Sequence, residues 1–378
     1  MSSPFTPNPR LLFYHPSSQI ESGAGPGEWT TYARTPTHQR FLDQEVSFKG
    51  KIRWSLAQSE MVDSSPAVSD GVLYVGDNFK VLALKVSNGK PIWTYRTTGP
   101  LNSSPAIAND LLFLGLLDGR VIALNRHSGK LRWQFKTGNF INGSPTVVNG
   151  FLYIGSADGN LYALDAELGT LVWKVQTNGN IAQAPAVGDK IVYAASGTRK
   201  LYSLSAQTGA RRLEFFLTER LIDSPVITAN LVFSVTQNGQ LIALKHKSRQ
   251  YFWSHKFNVV WLQAWMLGFP VPRPPLQAGT MWGTFPKKKI GGFVSSPAVF
   301  NDRLFVGDDR GRFYALDARK GSPIWEIELG DGVATAPLIL GDTVYFGTKT
   351  GALYGLSCQD GSRRWKFLLG SPLKGDLI

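Results

Sequence analysis

Side chains capable of nucleophilic, metal or acid–base chemistry are sparse and poorly spaced in this 378-residue chain. Its five histidines, His15, His38, His127, His246 and His255, show none of the short intervals that let two imidazoles hold one metal ion, and no H-E-x-x-H pattern joins them. Neither a G-x-S-x-G elbow nor a phosphate-binding P-loop is present. Cys358 is the single cysteine, which rules out an internal disulfide and any multi-cysteine zinc site. Carboxylates such as Asp308 and Asp309 stand beside Gly311 in a hairpin turn and read as solvated turn residues. The expectation is therefore no catalytic residue, no metal ligand and no cofactor.

What the residue types do offer is adhesion. Between Ser224 and Asn301 there is no acidic residue, while Lys245, Lys247, Arg249, Lys256, Arg273, Lys287, Lys288 and Lys289 supply eight positive charges out of a net +13. The stretch 258–292 mixes this charge with aromatic and apolar residues broken by prolines. Its candidate contact residues are Trp261, Trp265, Met266, Phe269, Arg273, Trp282, Lys287, Lys288 and Lys289. Tryptophan suits interfaces and lysine adds electrostatic attraction, so the segment fits an acidic groove on a protein partner or an anionic membrane surface. The plainer alternative is a loop folded over its own domain. Nucleic acid is disfavoured, because basic and aromatic residues do not alternate along strands as in single-strand binders.

The elements that must carry this segment follow from composition and period. Hydrophobic residues at 43% and charged residues at 18% provide a core, and 39 glycines, 22 prolines and 22 phenylalanines suggest many short strands. A Ser/Ala-Pro pair recurs at Pro66, Pro105, Pro145, Pro185, Pro225, Pro297 and Pro337, about every 40 residues, as a propeller blade would. An aromatic follows each proline at a constant distance: Tyr74, Phe113, Tyr153, Tyr193, Phe233, Phe305 and Tyr345. Within a unit, alternating apolar runs flank turns such as Asp158-Gly159 and Leu168-Gly169, which predicts four antiparallel strands. The proline stands at the start of the first strand, where an N–H donor can be spared. One such sheet cannot bury both faces alone, so an all-β fold of radially stacked blades is expected, a β-propeller.

The last strand of most units carries a tryptophan. Trp54, Trp93, Trp133, Trp173, Trp253, Trp325 and Trp365 occupy this slot, with Leu213 in one unit, and are expected to pack between neighbouring sheets. Cys358 falls where Ala166, Ala206 and Ala318 stand in other units, as a small packing residue. Seven full repeats begin at Pro66, and Trp54 marks the last strand of an eighth. The one long step, from Pro225 to Pro297, is read as an insertion at 258–292 following the Trp253 strand. It would then project from the ring face that carries Asp158-Gly159. Residues 1–28 are expected to be irregular and 29–378 to form the propeller. Neither an export signal nor a membrane-spanning run is visible in the sequence.

The segment Gly159-Asn160-Leu161-Tyr162-Ala163-Leu164-Asp165-Ala166, followed by Gly169 and Trp173, recurs from Gly311 to Trp325. It resembles the repeat of the pyrroloquinoline-quinone-like propellers, a superfamily containing quinoprotein alcohol dehydrogenases and a lipoprotein of outer-membrane β-barrel assembly. The resemblance implies an eight-bladed pattern, here either truncated or closed with seven blades. It also implies three functions to weigh. A quinoprotein dehydrogenase would need calcium held by carboxylate and amide oxygens, an aspartate base and, in many members, adjacent cysteines, a pair this chain cannot form. A non-catalytic scaffold for a protein partner, of the cell-envelope assembly type, needs none of these and is the favoured expectation. A ligand-sensing propeller of a larger receptor or kinase is the third.

Overall fold

The computed structural model describes residue 11, residues 14–17, 28–43, 52–56 and 64–250, a discontinuous set between 257 and 284, and 292–369. Seven antiparallel four-stranded sheets follow one another in chain order, one per repeat. Blade three shows the plan: Thr146–Val148 innermost, then Phe151–Gly155, Asn160–Asp165 and Leu171–Gln176 outermost. Blades one and two span 67–96 and 106–136, and blades four to seven 186–216, 226–284, 298–328 and 338–368.

The turn chemistry is local. Gly159, at φ +83°, supplies the left-handed residue of the hairpin between the second and third strands. Packing then separates the strands. Phe151–Gly155 is buried along its whole length because a neighbouring sheet covers each face, whereas Leu171–Gln176 at the rim alternates between exposed and covered positions.

Indoles lock the blades together. The Nε1 of Trp93, Trp133, Trp173 and Trp325 donates to a backbone oxygen of the next blade: Arg126 at 2.7 Å, Ala166 at 3.0 Å, Ala206 at 2.9 Å and Cys358 at 3.3 Å. Each ring lies on a turn glycine. At Gly169, with φ +71°, a Cβ would stand 2.5 Å from the Trp133 ring. Cys358 is buried in the cluster between blades six and seven, and burial pushes its thiol up to about 12, which suits packing rather than nucleophilic attack.

Blade five corrects the placement of the insertion. Its fourth strand is Thr280–Thr284, and Ala243 pairs with Trp282 just as Ala163 pairs with Trp173. The Trp282 indole donates to Ala318 O at 3.0 Å and covers Gly321, so Trp282 fills the inter-blade slot and is not part of an external loop. The inserted residues therefore precede the last strand instead of following it. They leave the ring where the third strand ends, on the face of the Leu168-Gly169 turns and opposite Asp158-Gly159. The sequence reading gives the tryptophan slot to Trp253, whereas the sheet register is set further along the chain. Trp253 itself lies outside the described residues.

Two further departures concern the chain's beginning and a turn. Residues 28–43 build no blade of their own. They run along the inner strands, and Phe41–Leu42 pairs in parallel with Leu338–Leu340 as a fifth strand of blade seven. Within the first 28 residues, the irregular piece 14–17 docks on blade three: Tyr14 Oη and the Ser17 hydroxyl donate to the Asp165 carboxylate at 3.0 and 2.7 Å. Asp308 is fully buried, not solvated, because its carboxylate accepts the N–H groups of Arg310 and Arg312 and the Tyr314 hydroxyl. Asp309, beside it, is exposed.

Candidate functional site

The innermost strands of the blades line an axial channel, and two features of it were not legible in the sequence. The first is what lies inside. Trp29 exchanges two 2.7 Å backbone bonds with Val68 of blade one, and the carbonyls of Thr30, Pro36, Thr37 and Arg40 accept N–H groups from Ile107, Val187, Ile227 and Ile339. One segment thus satisfies inner-edge donors of blades one, two, four, five and seven, donors that would otherwise need water.

Its side chains are equally embedded. His38 is fully buried, with Nδ1 3.1 Å from Pro225 O and Nε2 without a hydrogen-bond partner among the described residues. Burial, with the neighbouring Arg40 charge opposing protonation, pushes the imidazole down to about 3. The buried Arg40 guanidinium lies 5.0 Å over the Tyr32 ring. No periodicity announces this segment, because it answers to five different strands in turn.

The second feature is a polar cup of about 310 Å³ at the channel mouth, on the face of the Asp158-Gly159 turns. Serines preceding the repeat prolines build its wall: Ser65 N–H donates to Ser104 Oγ at 3.0 Å, and Ser104 N–H to Ser144 Oγ at 2.8 Å. Tyr32 closes the floor. Its hydroxyl donates to Asp223 Oδ1 at 2.5 Å, and the same carboxylate accepts the N–H groups of Ser224 at 2.7 Å and Ser296 at 2.9 Å. The serines that precede the repeat prolines thus form a hydrogen-bonded rim.

The expected contact residues separate in space. Helical backbone covers Phe257, Val260, Trp261 and residues 263–265. Trp261 donates to Pro272 O at 2.9 Å and meets Phe257 edge-on at 5.2 Å. Trp265 is 45% exposed, Phe269 60% and Leu267 76%. Trp282 belongs to blade five, as described, and Met266, Arg273, Lys287, Lys288 and Lys289 lie outside the described residues. The ends of the insertion clasp the rim of blade four: Gln250 N–H donates to Arg212 O at 2.7 Å, and the Gln277 amide bonds both backbone groups of Phe216. Among the described residues no three His, Cys, Asp or Glu side chains gather as metal ligands, and no helix is long and apolar enough to cross a membrane.

Seven such sheets around a channel define a PQQ-like β-propeller. The chain belongs to the family described as outer membrane protein assembly factor BamB, which matches residues 42–167, 113–185, 157–263 and 258–375. Among solved structures, BamB from Moraxella catarrhalis superposes with a TM-score of 0.61 at 20% identity, over 82% of this chain and 85% of that one. Quinohemoprotein alcohol dehydrogenase from Comamonas testosteroni gives 0.73 at 15% identity, over 94% and 75%. A curated relative, the dehydrogenase subunit of the quinone alcohol dehydrogenase of Gluconobacter oxydans (strain 621H), is 34% identical over 83 residues, 20% of this chain and 11% of that protein's length. One fold is thus shared by BamB and quinone-dependent alcohol dehydrogenases.

Proposed function

We propose that this chain is a non-catalytic scaffold of the cell envelope that binds a protein partner, and that the exposed apolar insertion is one of its contact elements. The occupied axis is the observation that carries this reading. A quinone on the axis with calcium beside it would need free carboxylate and amide oxygens, and the donor set here does not fit. Asp223, the one carboxylate lining the cup among the described residues, already accepts from Tyr32, Ser224 and Ser296, which leaves no second carboxylate for calcium. A single cysteine leaves no adjacent pair to cover a cofactor.

The dehydrogenase reading keeps one specific support, the 34% identical stretch shared with the Gluconobacter oxydans subunit. Incubating the purified chain with the quinone and calcium and following dye-linked oxidation of alcohols and sugars separates the two. A scaffold gives no turnover above the free quinone, and saturable turnover overturns the reading.

For the insertion, basic Lys245 and Arg249 at its start supply attraction to negative surfaces, and Trp265, Leu267 and Phe269 supply exposed apolar area. An acidic, apolar-lined groove on a protein matches both. Anionic lipid presents the same chemistry and is separated from it by comparing anionic with zwitterionic vesicles.

A further inference from the structure

The junctions on either side of blades four and five are each fastened by an indole bonded to a backbone oxygen of the next blade, from Trp173 to Ala206 and from Trp282 to Ala318. The junction between blades four and five lacks this fastening, because Leu213 pairs with Ser203 where Trp173 pairs with Ala163. His246 fills the space instead. It occupies the position of Ala166, Ala206, Ala318 and Cys358 in other blades, and its imidazole is buried. The ring packs on Tyr193 at 5.7 Å, as the Trp173 ring packs on Tyr153 at 5.8 Å. Nδ1 lies 3.1 Å from the Tyr193 hydroxyl and Nε2 lies 3.4 Å from Asp189 Oδ2.

The insertion is rooted around this imidazole. Lys247 Nζ reaches the same Asp189 oxygen at 2.7 Å. Arg212, on the outermost strand of blade four, donates to Lys247 O at 3.3 Å, and its own carbonyl accepts the Gln250 N–H at 2.7 Å. Lys247 has φ +68°, a left-handed conformation that costs free energy in a residue with a side chain. The backbone is therefore held bent by its contacts and relaxes when they go. The far end of the insertion closes on the same spot: a Cβ on Gly279 would stand 3.0 Å from Ser248 Cβ and 3.4 Å from Leu213 Cδ2.

Among the described residues, the charged and titratable groups facing His246 are Asp189, Tyr193 and Arg212 of blade four and Lys247 of its own turn, with Arg249 next to Arg212. The neutral ring suits these neighbours, with Nδ1 accepting the Tyr193 O–H and Nε2–H directed at Asp189. A second proton, on Nδ1, cancels the bond from Tyr193. It also sets a positive charge in a buried slot beside Lys247 and Arg212, the two residues that hold the root.

We propose that His246 is a protonation-sensitive latch for the insertion: neutral, it keeps the root of the insertion on blade four, and protonated, it releases that root while the ring stays closed. The proposal rests on the reading of the insertion as a contact element and adds its regulation. Burial is the largest cause holding this imidazole below its ordinary value, with Asp189 opposing and Lys247 and Arg212 reinforcing. Once released, the ring titrates near its ordinary value of about 6.5. The latch is thus fully held above about 6.5 and weakens as the pH falls from there toward the lowered value.

The test is amide exchange of the full chain, corrected for intrinsic rate, at Gln250 and Phe216, whose N–H groups bond Arg212 O and Gln277 Oε1. Between about pH 7.5 and 5.5 their protection should fall about three- to tenfold. Strand Arg120–Asn125 of blade two should stay protected. His38→Phe should show the same loss, which separates the latch from the axial segment, and His246→Gln should show none. Labelling the imidazoles with carbon-13 reads the titration of His246 in the unaltered chain. Its midpoint should coincide with the loss of protection and should rise in Lys247→Gln, which removes an opposing charge. Flat protection at Gln250, an equal loss in His246→Gln, or a titration that does not track the loss overturns the proposal. Quinone-dependent turnover would instead sink the scaffold reading, and it is read in a separate assay that does not move Gln250.

Discussion

Acidification should weaken the hold of the axial segment, and His38 sets the size of the effect. The imidazole is fully buried and pushed down to about 3, whereas in the unfolded chain it titrates near 6.5. It is therefore neutral in the fold at any pH above 3 and charged in the unfolded chain below about 6.5. Stability is fully present above 6.5 and is lost as the pH falls from there toward 3, at about 1.4 kcal/mol per pH unit. At pH 5 the loss from this one group is about 2 kcal/mol relative to pH 7. The assay is hydrogen exchange of residues 28–43 alongside urea midpoints at the two pH values, for the native chain and for His38→Phe. The native chain should lose about 2 kcal/mol, with exchange rising first at Val187, Ile227 and Ile339, whose N–H groups are held by the segment. His38→Phe should lose clearly less over the same interval, keeping the smaller contribution of His246, which burial also holds below its ordinary value. Equal pH dependence in both proteins would refute the reasoning and move the titration to another group.

Other outcomes follow from the packing. Trp133→Ala and Trp282→Ala should each cost about 3 to 5 kcal/mol of unfolding free energy, and Trp253→Ala clearly less, since Trp282 holds the slot. Gly169→Ala should cost more than the roughly 1–2 kcal/mol of a left-handed alanine, seen as a lowered thermal midpoint, because its methyl would meet the Trp133 ring. Replacing residues 251–276 with a short Gly-Ser bridge, which spares strand Thr280–Thr284, should leave the circular dichroism spectrum intact and abolish salt-sensitive binding to partner or anionic vesicles. A deletion extended through residue 292 should unfold blade five, and an undisturbed melting curve would contradict the register.

Repetition made the fold readable. Pro145, Tyr153, Leu164 and Trp173 each recur because every blade solves the same packing problem, so seven copies vote on each position. Features that occur once had no such vote. Leu244 and Pro297 bracket four tryptophans, and only the pairing of Ala243 with Trp282 decides among them. Asp308 looked like any turn carboxylate, yet the hydroxyl of Tyr314 and two backbone N–H groups draw it inward. The axial path of 29–42 is set by inner-strand donors from 68 to 341, a relation too distant for local pattern to express. Asp223 and the serines of the cup are likewise assembled from separate blades.

Phe41–Leu42 finds its partner strand almost at the far end of the chain, at Leu338–Leu340. During synthesis the early segment emerges while the residues that hold its last strand have not yet been made. Loop closure of this length is slow, and contacts this remote in sequence delay folding. Blades one to six can stack as they leave the ribosome, but the channel keeps exposed inner edges until the seventh arrives. A nascent chain stalled before residue 338 would therefore present open strand edges. Any truncation before residue 338 would leave Phe41–Leu42 without its partner strand, a lesion felt at the opposite end of the fold's construction.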